Sequence, residues 1–259
     1  MKVRQVSFMK FVGVSIIFIL FSLLTYAIDQ KELILKANKA YSVGSFAEAA
    51  ELYSKVAEAG YEAPELYYNL GNAYFKMHDF AQAILWYERA KRLDPGNEDI
   101  NFNLNVANTK ISDKIEPLPE LFYKRWFYGL VLLFPVDTWS TLALIILFAG
   151  LAGLVLFLVS RVMILRKIGF WSGVTLISVS LIFIFLAWSG NRYLTSTSYA
   201  VIFSPTITVK SSPDEKSTDL FVVHEGTKVI LLDNISGWYE IRIANGSVGW
   251  LPVTAMVKI

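Results

Sequence analysis

The sequence predicts a multi-domain membrane protein: an all-α stack of helical repeats, two transmembrane helices and a small all-β barrel, in that order. Three observations predict it. Residues 41–56 recur at 75–90 with a shift of 34; two charge-free apolar runs occupy 138–160 and 168–188; and from Ser198 the apolar pattern changes to a period of two.

The first 27 residues carry Lys2, Arg4 and Lys10 ahead of an apolar run that ends in Thr25-Tyr26-Ala27. A basic start, an apolar middle and a small residue at the end predict a secretory signal peptide over 1–27, with an uncleaved N-terminal anchor as the alternative. Either one exports the polar stretch that follows.

That stretch, 30–112, is predicted to be a pair of helical repeats with a capping helix. Phe46 aligns with Phe80, Ala49 with Ala83 and Tyr53 with Tyr87, and the same shift carries "NLGNAY" at 69–74 onto "NLNVAN" at 103–108. Each repeat is a helix pair that cannot bury its apolar side alone, so small residues mark close approach and aromatics fill the wedge between pairs. Asp94-Pro95 stops a helix and Gly96-Asn97 supplies a turn and a cap for the next.

The segment 118–135 is aromatic and ends at Pro135, which predicts a helix at the membrane surface. The runs at 138–160 and 168–188 are long enough to cross a bilayer as helices. Between them 161–167 carries Arg161, Arg166 and Lys167 and no acid, so this turn is predicted to be cytoplasmic and both flanking modules external. Trp139, Trp171 and Trp188 fall near helix ends as interfacial rings, and Ala149/Gly153 and Gly169/Gly173 are small pairs at which the spans could approach closely.

Over 197–259 short alternating strands are separated by glycine and asparagine turns, with Asn245-Gly246 predicting a hairpin. Five or so strands in so short a stretch predict a small, curved barrel.

Composition excludes several functions. The sequence has no cysteine and two histidines, which removes disulfides, thiolate chemistry and multi-histidine metal sites; no cofactor is expected. Neither soluble stretch has the basic surface that nucleic acid requires. His224 and Glu225 are neighbours on a predicted strand and point to opposite faces, and His78-Asp79 lies at a repeat corner, so neither pair predicts an enzyme.

The residues carry resemblances. Leu70, Gly71, Tyr74, Phe80, Ala83, Tyr87, Ala90 and Pro95 follow a spacing that resembles a tetratricopeptide repeat, although His78 stands where glycine is usual. That resemblance implies a peptide groove on the first helices, formed here by Ile34, Asn38, Tyr41, Tyr68, Asn72, Phe75, Phe102 and Val106. Asn38 and Asn72 lie one period apart, and their amides suit a peptide backbone. They are equally suited to being polar surface. The basic clamp that holds carboxyl-terminal peptides is not reproduced, since Ile34 and Tyr68 occupy its positions.

The C-terminal stretch, with Gly-Trp-Tyr at 237–239 and Gly-x-x-Gly-Trp at 246–250, resembles bacterial SH3-like domains. That resemblance implies a cleft for cell-wall glycopeptide or peptide at Trp238, Tyr239 and Trp250, with His224 and Glu225 nearby; each tryptophan could instead be core. The whole arrangement is similar to the BatE family of the Bacteroides aerotolerance operon. The family implies an inner-membrane scaffold with periplasmic modules that recruit protein or peptide partners. Those partners would be other Bat proteins with von Willebrand A-type domains, in aerotolerance or envelope stress. The alternative is a membrane-anchored protein that binds peptidoglycan through the SH3-like domain. A transporter is disfavoured, because the spans hold no charge.

Overall fold

The computed structural model describes residues 30–119 and 121–259, so the signal segment expected over 1–27 lies outside the described residues. The chain divides between Asp79 and Phe80 into two compact units.

The first unit holds helix α1 over 30–42, α2 (Phe46–Glu58) and α3 (Pro64–Lys76). Pro64 opens α3, where a missing N–H is harmless, and both α2 and α3 place a glutamate in the first turn and a lysine in the last, matching the helix dipole. Ala37, Ala40, Ala49, Ala50, Gly71 and Ala73 are buried, and so is the large side chain of Tyr53, a residue only 2% exposed. The period of 34 is also visible in the backbone. Gly44 closes α1 at φ 84°, and His78, one period later, closes α3 at φ 62°. Both are the left-handed residue that ends a helix.

The second unit begins with α4 (Phe80–Leu93) and α5 (Glu98–Asn108), which pack on each other. Asn97 caps α5, its Oδ1 accepting from the N–H groups of Asp99 and Ile100. An extended segment then leads to α6 (Phe122–Val131), α7 (Val136–Val159) and α8 (Met163–Thr195).

Helices α7 and α8 are long and apolar enough to cross a membrane. Only 11% and 22% of their most apolar windows is buried within the protein, whereas a soluble core helix is mostly covered. They form a tight hairpin. A Cβ at Gly169 would lie 2.6 Å from the Gly153 carbonyl oxygen, and one at Gly173 would lie 3.0 Å from that of Gly150. Gly150, and not Ala149, is the partner of Gly153 at this crossing; Ala149 faces outward. Farther along, Ser180 Oγ donates to the Ala143 carbonyl at 2.9 Å in a fully buried contact between the helices. The connector is confined to 160–162, so Arg166 and Lys167 belong to α8.

Helix α6 ends against the other end of this hairpin. Val131, Trp139, Leu186 and Ala187 form a buried cluster, and Trp139 Nε1 donates to the Val131 carbonyl at 2.9 Å. Trp139 is therefore a packed corner residue and not the interfacial ring that its position in sequence suggests; Trp171 and Trp188 are exposed.

Seven strands follow: β1 (Ser198–Ile202), β2 (Thr206–Lys210), β3 (Asp219–His224), β4 (Lys228–Ile235), β5 (Trp238–Arg242), β6 (Val248–Pro252) and β7 (Met256–Lys258). Asn245-Gly246 does turn β5 into β6, with Gly246 at φ 93°. The expected barrel is corrected by the strand order. The strands make one sheet, β3-β2-β6-β5-β4-β1-β7, that does not close into a barrel, because no pairing joins β3 to β7 among the described residues. The physical reason lies at the edges. β7 has only three residues, all paired to β1, and at the end of β3 the His224 N–H donates to a side chain of the linker instead of a strand. The sheet still bends around one core, which takes Val223 from β3, Met256 from β7 and Ile202, Val209, Ile241 and Leu251 between them. Gly249 permits a close approach of β6 to β2, since a Cβ there would lie 2.5 Å from Val209 Cγ1.

Candidate functional site

Two surfaces carry the residues singled out in the sequence. On the first unit, Ile34, Asn38 and Tyr41 follow helical spacing along α1, as do Tyr68, Asn72 and Phe75 along α3. All except Asn38 are half-buried, and Asn38 is exposed. The Tyr41 ring meets Phe46 edge to face, with centroids 5.2 Å apart. Burial, with Tyr68 beside it, pushes the Tyr41 phenol above its ordinary range. Tyr68 on α3 is thus near enough to Tyr41 on α1 to act on its phenol. Asn38 has a task inside the fold: its Oδ1 accepts from the hydroxyl of buried Tyr53. The remaining groove candidates, Phe102 and Val106, lie on α5 of the second unit; Phe102 is 68% exposed and Val106 half-buried.

The second surface is on the sheet. Strand register sets Glu240 opposite Trp250 and Trp238 opposite Pro252, so these four side chains share one face. Trp238 and Trp250 are diagonal neighbours on it, at roughly 7–8 Å. Both are half-exposed, while the alternate residues Ile241 and Leu251 fill the core. Lys210 is registered with Trp250 and forms an ion pair with Asp219, extending this face across β2 and β3. The tryptophans are therefore outward residues.

The other expected members of the cleft lie elsewhere. Tyr239 points to the opposite face and packs on the core, with the Lys258 ammonium 4.9 Å above its ring. That lysine's hydrogen bond lowers the Tyr239 phenol below its ordinary range. His224 is registered with Thr206, whereas Trp250 is registered with Lys210 at the far end of β2, about 13 Å away by strand rise. Glu225 is exposed beyond the end of β3.

Sequence reasoning missed what His224 does. It meets Asp113, in the extended segment after α5. That segment lies along the sheet: Ile111 abuts Gly226, Ile115 packs on the core, and the Leu118 N–H donates to the Ala244 carbonyl at 3.1 Å. A sequence signal exists in the alternation of Ile111, Asp113 and Ile115, but three alternating positions are too few to announce a strap. A second connection runs from α4. Glu88, nearly buried, pairs with Lys228 on β4 at 2.7 Å, and Arg89 and Arg92 donate to the carbonyls of Lys258 and Ile259.

Among the described residues no group of three or more acidic or histidine side chains could hold a metal ion. Residues 64–97 match the family model of the tetratricopeptide repeat, and residues 205–256 match that of the bacterial SH3 domain. No curated protein matches the chain. Both matched domains are of kinds that bind and do not catalyse. The chain thus joins a tetratricopeptide repeat and a bacterial SH3 domain, two interaction modules, to a pair of long apolar helices.

Proposed function

We propose that the protein is a membrane-anchored binding protein whose SH3 domain contacts peptidoglycan. The observation that carries this reading is the outward pair Trp238 and Trp250 on one sheet face, flanked by Glu240 and Lys210. Exposed indoles offer flat apolar area for the C–H faces of sugars, and the charged neighbours suit the amines and carboxylates of stem peptides. Helices α7 and α8 then serve as the anchor. Arg161 in their connector and Arg166 and Lys167 in the first turns of α8 favour a cytoplasmic connector, leaving the repeat and the SH3 domain on the exported side of an inner membrane.

Full-length protein in detergent, spun with purified sacculi, tests this. Pelleting of the native protein and its loss in Trp238→Ala are expected; native protein that stays in the supernatant would overturn the reading.

A second reading, a scaffold for protein partners, is favoured by the aromatic face at Tyr41 and Tyr68 and by exposed Phe102. The resemblance to BatE proteins would make Bat-operon proteins with von Willebrand A-type domains those partners, in aerotolerance or envelope stress. Pull-down from detergent extracts with Tyr68→Ala separates the two readings, since that change leaves the sheet untouched.

A further inference from the structure

A cavity of about 980 Å³ opens where α4, the ends of α7 and α8, and the sheet meet. Its lining is of two kinds. Tyr128, Leu132, Val136 and Leu194 give it apolar lining at the level where the two apolar helices end, and Lys91, Arg92, Arg125, Lys228 and Lys258 outnumber its acids Glu88 and Asp137. Part of that positive charge is committed: Lys228 pairs with Glu88, and Arg92 donates to the Ile259 carbonyl. Lys91 and Arg125 also line the cavity, and among the described residues neither side chain has a hydrogen bond or ion pair. Lys91 is half-buried, and its proton is held less tightly than usual because burial opposes the charge, Glu88 only partly offsets this, and Lys228 adds repulsion. A desolvated ammonium beside a second cation is stabilised by an anion.

We propose that this cavity binds the phosphate of an anionic lipid headgroup, held by Lys91 and Arg125, with the glycerol and upper chain region against Tyr128, Leu132 and Val136. The chemistry fits on each side: guanidinium and ammonium groups are the usual phosphate partners, and basic side chains beside an anionic bilayer surface attract its headgroups. The inference rests on α7 and α8 spanning the bilayer, but not on what the SH3 domain binds.

The test is native mass spectrometry of full-length protein released from nanodiscs of phosphatidylglycerol or phosphatidylcholine. Failure to enter nanodiscs of either kind would remove the membrane reading and this site with it. Given insertion, retained phosphatidylglycerol should exceed phosphatidylcholine about tenfold. Lys91→Gln with Arg125→Gln should abolish the preference, and Lys91→Arg should keep it, with native thermal melting in each variant. Equal retention of the two lipids, or an undiminished preference in the double variant, would overturn the proposal. Release of phosphatidylglycerol by millimolar inorganic phosphate would assign the site to a soluble phosphate and overturn the lipid; retention through that wash supports it.

Discussion

Asp113 and His224, 111 residues apart, hold the extended segment after α5 to the edge of the sheet: the His224 N–H donates to Oδ2 at 2.8 Å and its Nδ1 lies 2.6 Å from Oδ1. Thr227, itself buried, donates its hydroxyl to the same carboxylate at 2.6 Å. Asp113→Ala leaves those donors without an acceptor and is expected to destabilise the second unit by about 2–3 kcal/mol, read as a lowered thermal midpoint in detergent. Desolvation raises the Asp113 pKa, but the hydrogen bonds from Thr227 and His224 together outweigh it and hold the group below the ordinary value of 3.8. A lowered folded pKa means that the stabilisation is complete above 3.8 and fades as the pH falls through the folded value. Native protein should therefore lose stability below pH 3.8 more steeply than Asp113→Ala. Parallel acid-denaturation curves would contradict this.

His78 closes α3 in the left-handed region, at φ 62°, where its period-related counterpart is Gly44 at φ 84°. A side chain with a Cβ costs about 1 kcal/mol there relative to glycine. His78→Gly is accordingly expected to raise the stability of the first unit by about 0.5–1 kcal/mol, measured by thermal melting. A fall in the midpoint would mean that the imidazole contributes more to the fold than its backbone costs.

These two histidines show what could be read in the sequence. His78 was legible as a turn because the period of 34 fixed its place before any contact was known. The tryptophan pair was legible only as a candidate cleft implied by resemblance; each could have been core until the register set Trp250 opposite Glu240 and Trp238 opposite Pro252. Asp113 was not legible, because a carboxylate in a linker announces nothing until the chain brings a strand edge to it. Nor was the open edge of the sheet. Strand count and curvature suggest closure, whereas closure depends on whether β3 and β7 can reach each other, and that is decided by contacts remote in sequence. The clamp between Glu88 and Lys228 is hidden for the same reason, since α4 alone reads as an ordinary amphipathic helix.

The α7–α8 hairpin depends on absent side chains. Leucine in place of Gly169 would put a Cβ 2.6 Å from the Gly153 oxygen and 2.8 Å from the Phe157 nitrogen, both backbone atoms that cannot swing aside. The helices must separate. Because the sequence has no cysteine, a pair introduced at Ala143 and Ser180 reports their spacing without background. Cross-linking should be efficient with Gly169 and fall several-fold with Gly169→Leu, while Gly129→Leu, in open space on α6, should leave it unchanged. Undiminished cross-linking would show that the hairpin is held elsewhere along its length.

Trp238 and Trp250 share a face but not a structural burden. Trp250 is opposite Glu240 on β5 and Lys210 on β2, and the Lys210–Trp250 pair is the registered link between β2 and β6. Trp238 lies at the start of β5, beside the tight turn at Ser236 and Gly237, and is opposite Pro252. Trp250→Ala should cost about 2 kcal/mol of stability as cross-strand contacts are lost, together with sacculus binding. Trp238→Ala should cost less than about 1 kcal/mol yet reduce binding as strongly, because the binding surface needs both rings. Melting and sacculus sedimentation measured on the same preparations check this. If Trp238→Ala binds like the native protein while melting normally, the outward indoles are not the contact surface, and the wall-binding reading loses the observation on which it stands.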